Sequence, residues 1–370
     1  MVLFTRIKEH SNTFKKYYSE NERVMMLGAF FLGFVWDSLT LTRIDLTYDT
    51  MVLFTYILLA GSSIVILNLH DAKYLNSRFI SRNIHWVTLV MQFGFGGLFS
   101  GYIVFYSRSA TLITSWPFLL FLILLIVGNE LYKQHYSRLT FQMSIFFISV
   151  YSFFIFYIPI VVHRLGPWIF LTSGIISILV IIALVRGMHS LIPEHINASR
   201  RYIVMSTTSI FLLFNFFYFT NILPPLPLSI KDIGIYHLVE RTSNGGFAVT
   251  FEEGKWYQPF KDSDNTFHRS NGEPVYAYAS VFAPTDLRTK ILHRWSYFDE
   301  STNRWVISSE VPYEITGGAD GGSRGFTYKE HVFDGTWRVD VITERGQVLG
   351  RDIFKIDSFG EPRPLVTEMR

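Results

Sequence analysis

"FYFTNILPPLPLSIKDIGIY", residues 217–236, is where this chain changes character. An unbroken apolar run leads into it, and Pro224, Pro225 and Pro227 then supply a stiff, extended spacer that cannot continue a helix. From about residue 234 short alternating runs divided by Gly, Asn and Asp clusters take over, the pattern of an antiparallel all-β domain. The junction therefore splits the chain into an apolar helical part and a strand-rich part.

Charge divides at the same place. Residues 1–223 carry 16 Lys and Arg against 9 Asp and Glu, whereas residues 224–370 carry 17 against 21. The first part is thus +7 and the second −4. With 49% hydrophobic and only 17% charged residues, the apolar side chains collected into long blocks, the composition is that of a membrane protein. The chain has no cysteine, which excludes disulfides and thiolate metal sites, so a domain outside the membrane must fold on its own core. No basic run is interleaved with aromatics, so nucleic acid is not an expected partner.

Working back from the junction, seven apolar segments can be marked at 24–41, 51–69, 86–106, 110–128, 139–162, 165–185 and 202–223. Each is close to the ~20 residues that cross a bilayer core, and backbone groups in lipid must be satisfied within the segment, so each is expected to be a helix. The opening 23 residues hold Arg6, Lys8, Lys15, Lys16 and Arg23, unlike a cleavable signal. Within the third segment, "GFGGLFSG" spaces Gly97 from Gly101, and Gly96 from Ser100, for close helix approach, inside the bundle or across a dimer seam. Pro117 and Pro159 are expected to bend their helices or start turns.

Basic residues alternate between connections. Thirteen Lys and Arg fall in the N-terminal segment and the connections after segments 2, 4 and 6, against three, Arg43, Arg108 and Arg164, in the others. That alternation predicts a cytoplasmic N-terminus, and an odd number of spans then places the β part outside. Asp37 stands about 13 residues into the first segment, roughly 20 Å from its inner start at ~1.5 Å per residue. At that depth Asp37, Arg43 and Asp45 gather on the outer face with His163 and Arg164, either as a polar pocket or as an ion pair that closes a loop or docks the β domain. Asp49 is expected in a short loop with water available.

In the β part, "VYAYASVFA" sets Val275, Ala277, Ala279 and Val281 against Tyr276, Tyr278 and Phe282. "ILHRWSYF" and "RWVIS" flank the turn "DESTN", and a second hairpin turns at Glu344-Arg345-Gly346. Trp295, Trp305 and Trp337 are expected in the core, an exposed aromatic platform for glycans being the alternative. The whole is expected to be an α-helical integral membrane bundle of seven transmembrane helices followed by an all-β, Ig-like antiparallel sandwich. The expected limits are a cytoplasmic segment 1–23, the helices 24–223, a Pro-rich linker 224–233, the sandwich 234–357 and a tail 358–370.

His293-Arg294-Trp295, the run "GGADGGSRGFTYK" from Gly317 to Lys329 and "GTWRVDVITERGQVLGRDIF" from Gly335 to Phe354 resemble the C-terminal domain-of-unknown-function family 2914 of bacterial envelope proteins. "NILPPLPLSIKDIGIYHLVER" and "SVFAPTDL" resemble the variant in which that domain follows a multi-helix membrane region. The resemblance implies a bacterial inner-membrane protein with an outward β domain, and no activity or catalytic residues.

Candidate β-domain contacts are His293, Arg294, Arg324 and Arg338. Each could meet a ligand, while an Arg here could equally stack on a Trp or pair with a carboxylate across the sandwich. The inner-face histidines His70, His85, His135, His189 and His195, with Glu130 and Glu194, lack metal-ligand spacing, since "HSLIPEH" has no HExxH and Pro193 interrupts it. The Gly-rich run lacks the GK[ST] ending of a phosphate loop. No metal or cofactor is expected, and no catalytic residue can be assigned. The expected role is an envelope sensor, scaffold or assembly factor whose partners are the bilayer and an envelope protein, glycan or lipid. Alternatives are a small-molecule or lipid transporter with its pocket at Asp37, and a membrane enzyme acting on envelope lipid. The oligomeric state is not legible.

Overall fold

The computed structural model describes residues 35, 39–40, 47–109, 116–118, 120–121, 124, 139–225, 227–243, 245–252, 265–270, 272–318, 322–360 and 363–370. Among the described residues five helices, α1 (Thr47–Asp71), α2 (Arg78–Ser109), α3 (Leu139–Val162), α4 (Pro167–His189) and α5 (Pro193–Phe219), precede eleven strands. All five are long and apolar enough to cross a membrane. The expected count of seven is not supported among the described residues, because the first and fourth apolar segments fall largely outside them.

The helices form where sequence and capping agree. α4 and α5 each begin on a proline, a position whose missing N–H costs nothing in the first turn. Pro159 lies inside α3. α5 ends not at the prolines but earlier, where Asn221 takes a left-handed φ of 59° and the amides of Ile222 and Leu223 return to the Phe217 carbonyl at 2.9 and 3.0 Å.

Chain division departs from the expected cut at Pro224. One compact unit comprises Met1–Phe105, Leu119–Ile155 and Thr172–Leu213; the other comprises Tyr106–Phe118, Phe156–Leu171 and Phe214–Arg370. The ends of four helices thus belong with the strands. In the first unit, Gly94 and Gly97 lie against Tyr56 and Ala60 of α1, so the small-residue seam is used within the chain. Asn68 of α1 donates to Gln142 of α3 at 2.6 Å and stands 3.2 Å from His195 Nε2 of α5, joining three helices at one end. Large apolar side chains such as Phe54, Leu58, Phe93, Leu179 and Leu212 are left exposed along the helices, which is consistent with a membrane protein. Asp49 corrects the sequence reading: it sits in the first turn of α1 and is 1% exposed, not in a watered loop.

The strands are β1 (Ser229–Tyr236), β2 (Leu238–Arg241), β3 (Phe247–Glu252), β4 (Thr266–His268), β5 (Val275–Phe282), β6 (Arg288–Asp299), β7 (Arg304–Thr316), β8 (Ser323–Lys329), β9 (Gly335–Thr343), β10 (Val348–Asp357) and β11 (Leu365–Met369). Two limits move. β1 starts inside the stretch read as linker, and β11, which pairs with β3, lies in the stretch read as tail.

The sheets are ordered β1-β5-β8, β4-β10-β9-β6-β7 and β11-β3-β2. This is three sheets rather than an Ig-like pair, and β4 runs parallel to β10. The reason lies in β5, which is apolar on both faces. Its Val275, Ala277, Ala279 and Val281 pack with Trp295, Trp337, Val339, Val341 and Phe354 of the five-stranded sheet. Tyr278, on the opposite face, packs with Phe247, Val249 and Phe251 of β3. Alternation in a strand normally marks one buried face, but tyrosines can line a second core when their hydroxyls reach the edge. Trp295 and Trp337 are both fully buried, as expected, whereas Trp305 is half-buried under Arg338.

Candidate functional site

The end of α5 and the β9–β10 turn meet within the second unit. The last carbonyls of a helix have no intrahelical donor and carry the negative end of the helix dipole, so a cation with several N–H groups is the complementary cap. Arg345 supplies it. Its guanidinium lies 3.8 Å from the centre of the Tyr218 ring, and Nη2 donates to the Tyr218 carbonyl at 3.1 Å. Tyr218 stacks in turn on Phe170 at the start of α4, 3.9 Å between ring centres and 8° from parallel. Asn221 Nδ2 donates to the Arg345 carbonyl at 3.1 Å, and Gln347 Nε2 donates to the Leu223 carbonyl at 3.0 Å. The turn that sequence reading placed at Glu344-Arg345-Gly346 is therefore a mount, with Gly346 in the left-handed region at φ 80°.

The outer-face residues divide. Asp37, Arg43 and Asp45 lie outside the described residues. His163 and Arg164 are exposed in the α3–α4 connection. His163, at φ 54°, donates through Nδ1 to the Thr285 carbonyl at 3.2 Å, and the neighbouring Leu165 packs against the core cluster containing Leu228, Ala283 and Leu287. His163 and Leu165 thus hold the α3–α4 connection against the β domain.

The candidate β-domain contacts are taken up internally. His293 is fully buried, with Nδ1 2.9 Å from Thr327 Oγ1 and Nε2 2.9 Å from the Tyr313 hydroxyl. Thr327 also accepts from Trp295 Nε1 at 3.1 Å. Burial pushes the imidazole down to about 3, so it is neutral and uses one nitrogen as donor and the other as acceptor. Arg294 pairs with Glu310 across β6–β7 at 2.6 Å, and Arg324 donates to the Arg370 carbonyl at 3.0 Å. Arg338 lies 4.4 Å from the Trp305 ring centre and 3.1 Å from Asp340, whose other oxygen takes Arg351 Nε at 2.5 Å. His293 is a core histidine, and the three arginines tie strands together.

One cluster escaped the sequence reading. His237, after β1, presents Nδ1 to Glu273 Oε1 at 2.7 Å and Nε2 to Glu252 Oε1 at 3.3 Å. His268 on β4 presents Nδ1 to Glu252 Oε2 at 2.6 Å and donates its backbone N–H to Oε1 at 3.0 Å. Burial works against charge on His237 and Glu252, yet their mutual hydrogen bonds hold the imidazole above its ordinary value and the carboxyl below its own. Four residues on four separate segments leave no spacing to read; only the fold brings them together. Among the described residues, which take in His70, His85, His189 and His195, no group of three or more His, Cys, Asp or Glu has metal-holding geometry; His135 and Glu130 lie outside the described residues.

Residues 288–356 match the family described as protein of unknown function DUF2914, so the chain carries that domain towards its C-terminus, over β6 to β10. No curated protein matches the sequence. Among solved structures, the Pseudomonas fluorescens alkylpurine DNA glycosylase AlkC bound to DNA containing an abasic site analog is similar at 9% identity and a TM-score of 0.22, covering 85% of this chain and 100% of that one. At that score the likeness carries no argument.

Proposed function

We propose that this DUF2914-bearing chain is a multi-pass bacterial inner-membrane protein that carries its β domain on the outer face as a binding module, acting as an envelope sensor, scaffold or assembly factor. The reading keeps the seven spans, cytoplasmic N-terminus and outward C-terminal domain that the Lys and Arg alternation predicts. The observation that carries it is the mount at Arg345. A module that must present a surface at a fixed height, or pass a push from the surface to a helix, needs a stiff joint. Here a stacked guanidinium and three side-chain-to-carbonyl hydrogen bonds replace a free linker. Arg294 and Arg351 pair with carboxylates on neighbouring strands and Arg338 shares Asp340 along β9, and this internal use of the candidate arginines favours presentation and binding over catalysis.

Because the chain has no cysteine, introduced thiols can be labelled cleanly. Nitroxides at Thr220→Cys and Lys290→Cys, in full-length protein reconstituted in lipid, should give a narrow distance distribution that broadens when Arg345→Ala and Gln347→Ala are added. A broad distribution in the parent would sink the stiff-mount reading. A phosphatase fused after Arg370 should be active in the periplasm of a bacterial host, and activity from a cytoplasmic reporter alone would sink the orientation.

A further inference from the structure

An imidazole has two nitrogens, and only its protonated form makes both of them donors. In His237 each nitrogen faces a carboxylate oxygen, Glu273 at 2.7 Å and Glu252 at 3.3 Å, while the ring stacks on Phe267 of β4 at 4.0 Å. A neutral ring in this place would turn a lone pair towards one of those oxygens. Glu252 is itself 4% exposed, and a buried carboxylate that loses a cationic partner is costly to keep in place.

Glu252 also holds the strand next to it. β4 has only three residues, paired in parallel with Lys355, Ile356 and Asp357 of β10. Its His268 gives both Nδ1 and the backbone N–H to Glu252. The turn that follows is fastened by the same chain of contacts, since Glu273 Oε2 accepts from the Ser270 amide at 3.0 Å and the Glu273 carbonyl accepts from Arg269 Nε at 2.7 Å. The other charged groups nearby have their own partners. Arg269 Nη1 and Nη2 donate to the Val332 and Glu330 carbonyls at 2.9 Å each, and Asp357 accepts the amides of Phe359 and Gly360 at 3.0 Å beside His268.

We infer that Glu273, His237, Glu252 and His268 form a proton-operated latch in which one proton on His237 ties β4 and the neighbouring Arg269, Ser270 and Glu273 to the end of β3, and loss of that proton releases them. The direction follows from the two titrating groups. The raised value of His237 gives stability that is fully present below its ordinary 6.5 and is lost as pH rises through the raised value. The lowered value of Glu252 gives stability present above 4.5 and lost only as pH falls through the lowered value. The latch is closed from mildly acidic conditions upward and opens as pH rises through the raised His237 midpoint.

Hydrogen exchange on full-length protein in detergent, from about pH 6 to pH 9.5, reads this directly at the amides of His268 and Arg269, the second of which donates to the Asp357 carbonyl at 3.0 Å. After division by the intrinsic base-catalysed rate, the opening constant should be flat below the ordinary imidazole value of 6.5, rise by up to about tenfold per pH unit between there and the raised His237 midpoint, and level off above it, as release of one proton demands. His237→Gln, which cannot carry the charge, should leave these amides open with no pH step while the amides of β6 and β9 stay protected. Glu273→Gln removes one of the two carboxylates and should move the step to lower pH. A flat profile in the parent, a step at the same midpoint in His237→Gln, or an unmoved midpoint in Glu273→Gln would each overturn the latch. If His237→Gln loses protection throughout β6 and β9, the midpoint in Glu273→Gln decides.

Discussion

Acidification should weaken the β domain through one residue, His293. Its ring is fully enclosed between Thr327 and Tyr313, and the enclosure pushes it down to about 3. In the unfolded chain the same imidazole titrates near 6.5. The unfolded state therefore binds a proton that the native state refuses, and stability must fall as pH drops below 6.5, levelling only near 3. At ~1.36 kcal/mol per pH unit once the unfolded imidazole is fully protonated, the step from pH 6.5, where it is half-protonated, to pH 4.5 costs roughly 2.3 kcal/mol. Within that window His237 contributes a constant, because its stabilisation is already complete below 6.5, and Glu252 does not weaken until below 4.5. Most of the slope should belong to His293. Global-unfolding hydrogen exchange of the β6 and β9 amides in detergent-solubilised protein, corrected for intrinsic rates, measures it. His293→Gln keeps a donor and an acceptor but no titration, so it should start less stable at pH 7 and lose the slope. An unchanged slope in His293→Gln, or a parent whose stability is level from pH 6.5 to pH 4.5, would refute the neutral-core account of this residue.

Other outcomes follow from packing. Trp337→Ala empties the centre of the cluster shared by β5, β9 and β10 and should cost about 3–5 kcal/mol of β-domain stability in urea titration, with the helices retained. In the first unit, a Cβ at Gly94 would stand 3.1 Å from the Tyr56 carbonyl and 3.2 Å from the Ala60 nitrogen, backbone atoms that cannot turn aside. Gly94→Ala should therefore lower the melting temperature of the solubilised protein by overpacking, at about 1–3 kcal/mol. Gly187→Ala, where nothing lies within 4 Å, should leave it unchanged or raise it.

Long periodic features were legible in the sequence. Apolar runs with charges only near their ends gave α1 to α5, because a bilayer-length stretch has few other stable forms. The alternation of Trp337, Val339 and Val341 gave the buried face of β9, and all three are fully buried. Short-range rules failed where tertiary context decides. β11 carries exposed side chains throughout, so no apolar alternation announces it, and it forms only because the β3 edge is there to pair with. The third sheet was missed for a related reason, since Tyr276 and Tyr278 read as an outer face until β3 covers it. Asp49 was misplaced by about one turn, enough to take it from a loop into a buried helix start. Arg345 was visible as a turn residue, but its role depends on Tyr218 and Asn221, more than a hundred residues earlier in the chain.

The limits of the family match, 288 and 356, cut through a layer rather than around a body. They take in β6 to β10 and leave out β1 and β5, whose Ile235, Val275, Ala277, Ala279 and Val281 close the inner face of the five-stranded sheet. β8 falls inside the limits, yet its hydrogen-bonding partner β5 falls outside. A fragment trimmed to those residues would present Trp295, Trp337 and Phe354 to water and would be expected to aggregate. In this chain the matched residues thus hold half of a core, and the other half is brought by the strands upstream of them.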